Sequence, residues 1–213
     1  MTIRVVSFDL DGTLVNSKFV NLVWMEGVPM LYAQRHGVDF HTAKEKIIGE
    51  YMKMGSDRLE WYNLQYWLDR FDLKISKEDI LAGYVDQIEL YPEVKETLSS
   101  LSESYDLVIT SNAAREFIEA EVKNLPGCFR EIFSATSDFG DVKKSAAVYR
   151  EVCRRINLPP TEIIHVGDHY AYDYESPIQA GLKALFLDRK GNRTGNEVVR
   201  DLTEARIKIQ EQP

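Results

Sequence analysis

Apolar and polar positions follow two different rhythms along this chain. From about residue 90 onward, apolar runs of strand length ("YDLVITS", 105–111; "EIFSATS", 131–137; "EIIHVGD", 162–168; "KALFLD", 183–188) alternate with helix-spaced stretches over 92–103, 113–124 and 145–156. Short strands separated by helices require crossover connections and therefore a parallel sheet. With "IRVVSFD" near the N-terminus as the first strand, the pattern predicts an α/β fold with a doubly wound, Rossmann-like parallel sheet.

Between about 16 and 88 the rhythm changes: no strand pattern occurs, and four helical patterns fall near 18–36, 41–54, 57–71 and 77–89. Ala43, Ile47, Ile48 and Tyr51 recur at helical spacing, Pro29 suits a first turn, and Ser76-Lys77-Glu78-Asp79 resembles a capping box. The expected organisation is a core built from 1–15 and 89–213, interrupted by an all-helical domain at 16–88. Trp24, Trp61, Tyr62, Trp67 and Phe71 make that insertion aromatic. Most of them are expected in the bundle core or at its contact with the sheet domain, with a few free to line a pocket.

Composition narrows the class without choosing a reaction. A chain of 213 residues that is 44% apolar can bury a sizeable core, and its formal charge of −8 argues against nucleic acid or an anionic membrane as the main partner. No apolar run approaches the roughly 18 residues of a membrane span. The opening "MTIRVVSF" enters a strand without a signal-peptide pattern, so a cytoplasmic protein is expected. Cys128 and Cys153 have neither CxxC spacing nor companion histidines and are expected to be reduced packing residues. Nothing in the sequence addresses oligomeric state.

In open parallel sheets, ligands bind beyond the carboxyl ends of the strands. The strand ends here collect Asp9 and Asp11 from the first, Thr110, Ser111 and Asn112 from the second, and Asp168 with Asp173 from the fourth. Side chains at i and i+2 of an extended segment share a side, so Asp9 and Asp11 can reach one centre before Gly12 turns the chain. Carboxylates clustered without His or Cys suit Mg²⁺. A hydroxyl, backbone amides and a lysine, Lys143 or Lys144, would complete a phosphate site.

The alternatives are weaker. A calcium-binding EF-hand loop would need a third ligand before its glycine and a glutamate at its twelfth position, where this chain has Val20. A phospho-acceptor receiver domain would lack the helical insertion. His165, alternating with buried positions, is expected to be a satisfied core side chain and Arg115 a helix cap, while His169, next to Asp168, is the one histidine with a positional case for touching the site without being expected there.

"FDLDGTL", "LVITSN", "KKSAAVY" and "VGDHYAYD", in that order, resemble the four motifs of the haloacid dehalogenase-like superfamily over essentially the whole chain. The resemblance implies that Asp9 is a nucleophile, Asp11 a general acid and base, and Ser111 and Asn112 phosphate-binding residues. It implies Mg²⁺ held by Asp9, Asp11 through its main-chain carbonyl, Asp168 and Asp173, and a specificity-bearing cap at 16–88. Lys143, six residues before Tyr149, matches the family's lysine spacing, whereas Lys144 stands where the pattern has proline. Dehalogenases of the superfamily typically lack an acid at the Asp11 position. The expected activity is therefore Mg²⁺-dependent hydrolysis of a small phosphorylated metabolite, such as a sugar or triose phosphate, through an aspartyl phosphate. A phosphomutase, a phosphonatase, a 2-haloacid dehalogenase and a binding or regulatory protein without turnover are the alternatives.

Overall fold

A computed structural model describes residues 2–211. Its six-stranded parallel sheet comprises β1 (Val5–Phe8), β2 (Asp106–Ser111), β3 (Phe129–Ser134), β4 (Ile163–Gly167), β5 (Lys183–Leu187) and β6 (Val198–Val199), in the order β3-β2-β1-β4-β5-β6. The doubly wound α/β class expected from the alternating pattern is the one observed. Every residue of β1 is buried, because it pairs with β2 on one side and β4 on the other and helices cover both faces. Strand order reverses beside β1, so the crevice over β1, β2 and β4 is where this topology places a ligand.

One face is covered by α7 (Val94–Ser102) and α12 (Leu202–Gln210), which pack Leu98, Leu101, Leu202 and Ile209 against Val6, Phe8 and Ile109. The other is covered by α10 (Ala146–Ile156), whose Val148, Tyr149, Val152 and Ile156 meet Val5, Val108 and Ile163. α10 starts at Ser145, which accepts from the Val148 amide, and ends at Asn157 in the left-handed conformation.

Residues 18–88 contain helices and turns. α1 (Lys18–Leu22), a π-helical turn (Val23–Gly27) and α2 (Val28–His36) form one continuous rod, followed by α3 (Phe40–Met54), α4 (Leu59–Tyr62), α5 (Leu64–Arg70) and α6 (Lys77–Ala82). Their shared core holds Phe19, Ile47, Tyr51, Trp67, Leu68 and Phe71, and it reaches Phe117 on α8 (Arg115–Glu121) of the sheet domain. The two connections run side by side: Val15 bridges Leu90, and the Asn16 amide donates to the Glu89 carbonyl at 2.9 Å.

Three boundaries differ from the sequence reading. β3 starts at Phe129 and ends at Ser134, and Ala135–Phe139 is a helix (α9), because the Ser134 hydroxyl accepts from the Ser137 amide and caps it. The expected helix at 57–71 breaks at Asn63, whose side chain caps α5 through the Tyr66 amide. β6, two residues long, is too short to leave a periodic signal.

Candidate active site

Asp9 follows the last residue of β1, and its amide donates to the Val166 carbonyl of β4 at 2.9 Å, which fixes it between two strand ends. The chain then folds back in a tight turn, with the Leu14 amide on the Leu10 carbonyl at 2.8 Å and the Gly12 amide on the Val15 carbonyl at 2.7 Å. Gly12 has φ +80°, and a Cβ there would overlap the Asp168 carboxylate. Glycine is thus required both for the turn and for the approach of β1's end to β4's end. Arg189 holds the outside of this turn, donating to the carbonyls of Gly12 (3.2 Å) and Thr13 (2.8 Å), pairing with Glu93 at 2.7 Å and lying over the Tyr91 ring.

The lysine at the site is Lys144. Its buried ammonium is in contact with both the Asp9 and the Asp173 carboxylates. Lys143, the residue expected from the spacing, points outward and pairs with exposed Asp57 of the helical insertion at 2.7 Å. The cause is local. The Ser145 amide donates to the Lys143 carbonyl at 2.7 Å, closing a three-residue turn centred on Lys144 that swings this side chain inward just before α10 begins.

Beneath Lys144 lies a buried polar chain. The Thr110 hydroxyl donates to Ser7 (3.0 Å), Ser7 donates to His165 Nδ1 (2.8 Å), and His165 Nε2–H donates to Asp173 Oδ1 (3.2 Å), an assignment in which every group is satisfied. Burial holds His165 neutral, shifting its pKa down. Asp173 is fully buried, yet its carboxyl lies below the usual carboxylate range: burial opposes ionisation, and Lys144 and His165 outweigh it. Its second oxygen accepts from the His169 amide at 2.8 Å. A Cβ on Gly167 would overlap the Asp173 carboxyl, so this glycine also makes room for the site.

Oxygens of Asp9, Asp168 and Asp173 lie within 4.8 Å of one another. Burial and the neighbouring carboxylates push Asp9 toward the protonated form, and desolvation and Asp173 push the more exposed Asp168 the same way, with Lys144 acting against this in both. Three acids share one ammonium, so keeping Asp9 and Asp168 ionised takes further positive charge, and the donors are hard oxygens alone; the residues therefore fit a divalent cation of the Mg²⁺ type. The Asp11 carboxyl does not join this group, which leaves its main-chain carbonyl as its only means of acting as a ligand.

Asp11 instead faces Glu121, a fully buried residue on α8 that the sequence reading did not single out. Among the described residues Asp11 Oδ1 and both Glu121 oxygens lack any conventional donor, as two acceptor-only carboxylates must. One shared proton satisfies both. Burial, followed by the repulsion from Asp11, pushes Glu121 up to about 10, so Glu121 carries the proton. Burial raises Asp11 to about 6, opposed by the hydrogen bond from Glu121. The available signal was a glutamate on the apolar face of α8, three residues after Ile118 and four after Phe117.

Ser111, at the end of β2, accepts from the Ala113 amide at 3.1 Å and keeps its own hydroxyl proton available. Asn112 donates to the Val142 carbonyl at 3.3 Å, and its buried Oδ1 has no donor among the described residues. Arg115 turns away from the site to the Ile132 carbonyl (3.1 Å) and Asp138. His169 lines the cavity, stacked on Tyr172 with ring centroids 4.0 Å apart.

Above these residues lies a cavity of about 350 Å³, floored by Asp9, Asp11, Ser111, Lys144 and Asp168 and roofed by the helical insertion through Trp24, Tyr51, Trp61 and Tyr62. Trp24 and Met25 come from the π-helical turn of the roof, and Tyr172 and Asp173 from a second π-helical turn, Tyr170–Glu175, after β4. Both wide turns thus present side chains to the same space. Among the described residues no helix is long and apolar enough to cross a membrane.

A profile of the haloacid dehalogenase-like hydrolases matches residues 3–181. The chain is similar to a phosphoglycolate phosphatase of Mannheimia succiniciproducens, 25% identical over 212 residues, with 82% of this chain and 89% of the relative covered. It is also similar to a phosphoglycolate phosphatase of Aquifex aeolicus, 27% identical over 186 residues, with 84% and 82% covered. A crystal structure of a HAD phosphatase from Thermococcus onnurineus shares the fold, with TM-score 0.84 at 24% identity over 98% of each chain. With the profile spanning most of the sequence and all four motif segments meeting at one cavity, this chain belongs to the haloacid dehalogenase-like hydrolase family.

Proposed function

We propose that the protein is a Mg²⁺-dependent phosphatase that hydrolyses a small phosphate monoester through a phosphoryl group carried on Asp9. The observation that carries this reading is the contact of the buried Lys144 ammonium with Asp9, beside the converging oxygens of Asp168 and Asp173. A nucleophilic carboxylate must be ionised, and a cation in contact with it favours that form.

The residues divide the work as follows. Lys144, the Ser111 hydroxyl and the Asn112 amide orient the phosphoryl group and balance its charge. The Asp9 oxygen attacks phosphorus as the bond to the alcohol oxygen breaks, and Asp11 gives that oxygen its proton. Asp11 then takes a proton from water as the water oxygen attacks phosphorus, which frees Asp9 and releases inorganic phosphate. Mg²⁺ held by Asp9, Asp168 and the Asp11 carbonyl, with Asp173 as ligand or anchor, would supply further positive charge at the phosphoryl oxygens. The roof presents mainly aromatic side chains to this space, which disfavours bulk water beside the reacting groups.

The retained acid at Asp11 supports phosphate esters over 2-haloacids, because a halide needs no proton to leave. A phosphonatase-type imine lysine finds no support: Lys44 pairs with Glu26, and Lys46 and Lys53 with Glu50, all outside the cavity lining. The test is phosphate release from a panel of monoesters with Mg²⁺ and with chelator, for the native protein and Asp9→Asn. Release that requires Mg²⁺ and vanishes in Asp9→Asn is expected. Equal release by Asp9→Asn, or faster turnover of 2-haloacids than of any ester, overturns the reading.

A further inference from the structure

The half of the cavity that would receive the alcohol part of a substrate is made of rings. Trp24 stacks on Phe117 with centroids 5.7 Å apart and planes 20° apart, Tyr51 stands edge-on to Trp24 at 5.7 Å, and Trp61 edge-on to Tyr51 at 6.1 Å. Tyr62 and Tyr172 complete the wall. Trp24, Trp61 and Tyr62 are only half-buried, so part of each ring surface remains open to the cavity.

Charge is as informative as shape. The acidic residues of the lining are Asp9, Asp11, Asp168 and Asp173, all at the strand ends, and among the described residues Lys144, in contact with Asp9 and Asp173, is the only lysine or arginine in it. The basic residues of the helical insertion are occupied elsewhere: Lys18 with Glu89, Arg35 and Lys74 with Asp72, Arg58 with Glu60, Arg70 with Glu50, and Lys77 with Glu116. A carboxylate or second phosphate on the alcohol part would enter this space without a cation to meet it, at a cost that binding would have to overcome. Of the roof's hydroxyls, that of Tyr62 already donates to the Ser56 carbonyl at 3.2 Å and that of Tyr51 to the Trp24 carbonyl at 3.5 Å, which leaves Asn21, His169 and Tyr172 as the polar groups a bare polyol could meet beyond the floor. A flat uncharged ring would instead stack against open aromatic faces.

We infer that the substrate is a phosphate monoester whose alcohol part carries an uncharged aromatic ring, such as an aryl or nucleoside monophosphate, rather than phosphoglycolate or a triose phosphate. The inference rests on the phosphatase reading for the identity of the reacting group. Its binding test does not require turnover.

With chelator present to stall hydrolysis, tryptophan fluorescence is titrated with phenyl phosphate, a nucleoside 5′-monophosphate, 2-phosphoglycolate and glycerol phosphate. At least one ring-bearing ester should bind ten-fold or more tightly than phosphoglycolate and glycerol phosphate, and the ratio of the two ring-bearing ligands distinguishes a simple aryl ring from a nucleobase. Trp61→Ala should erase that preference, Trp61→Phe should largely restore it, and neither should change phosphoglycolate binding by more than two-fold. Phosphoglycolate binding as tightly as both ring-bearing esters, or equal losses for all ligands in Trp61→Ala, overturns the inference. Ring preference in a protein that hydrolyses none of the esters once Mg²⁺ is supplied would leave the inference standing and remove the phosphatase reading.

Discussion

Lys143 Nζ lies 2.7 Å from Asp57 Oδ1, so the residue next to the buried Lys144 fastens the sheet domain to its helical insertion. Adjacent lysines therefore have unlike tasks. Lys143 and Asp57 are exposed, so solvent screens their pair and its contribution is small. Lys143→Ala should raise KM by no more than about five-fold and leave kcat intact, as an exposed tether would. Lys144→Ala should lower kcat/KM by about 100-fold or more, since it strips the charge that faces Asp9. Steady-state kinetics of both variants on one ester checks the assignment; a reversed order of severity would restore Lys143 to the site.

The proton shared by Asp11 and Glu121 has a consequence for stability. Glu121 sits near 4.5 in an unfolded chain and is pushed to about 10 in the fold by burial and by Asp11. Between those values the folded state holds a proton that the unfolded state has lost, so this group's contribution is fully present below about pH 4.5 and declines toward pH 10. The slope is roughly 1.4 kcal/mol per pH unit. Glu121→Gln keeps a donor for Asp11 and needs no proton uptake. Its melting temperature should exceed that of the native protein at pH 8, by a margin that grows from pH 6 to pH 9. Parallel curves for the two proteins would show that Glu121 is ionised in the fold.

In the proposed reaction Asp11 must be protonated for the first step, and burial raises its pKa to about 6. Because the acid form is the active one, kcat/KM should fall as pH rises above about 6. Asp11→Asn should lose that limb along with roughly 100- to 10,000-fold of the rate on an alkyl phosphate. On 4-nitrophenyl phosphate, whose leaving group needs no proton, the loss in kcat/KM should be much smaller, because kcat/KM reports phosphoryl transfer to Asp9 and not the later hydrolysis in which Asp11 acts as base. A pH profile of native and Asp11→Asn protein on the two esters tests this, and equal losses on both would contradict the acid role.

Gly12→Ala should be damaging for two reasons that act together: φ is +80°, and the added methyl overlaps the Asp168 carboxylate. Displacing Asp168 separates it from Asp9, so Mg²⁺ affinity should weaken by about ten-fold or more, by analogy with disturbed metal-ligand geometry. Isothermal titration of the variant with Mg²⁺ gives the answer directly. Unchanged affinity would mean that Asp168 is not a ligand.

The sheet was readable in the sequence because its buried strands are continuous apolar runs, and Asp9, Ser111 and Asp168 because they interrupt those runs at one end. What escaped depended on contacts between distant segments. Glu121 acquires meaning only when α8 lies over Asp11, and Arg189 only when its loop returns to the turn at Gly12. Lys143 and Lys144 are equivalent by composition, and spacing favoured Lys143, whereas a single tight turn before α10 brings Lys144 to Asp9 and leaves Lys143 facing outward. β6 and α9 were missed for a related reason: their lengths of 2 and 5 residues leave no period to detect.

The proposed reaction requires a covalent bond between phosphorus and Asp9. Rapid acid quench of the enzyme during turnover of a phosphate monoester with Mg²⁺, followed by peptide mass spectrometry, should find one phosphoryl group on the peptide that carries Asp9, and none after Asp9→Asn. A phosphoryl group on any other residue, or sustained hydrolysis by Asp9→Asn, would contradict it.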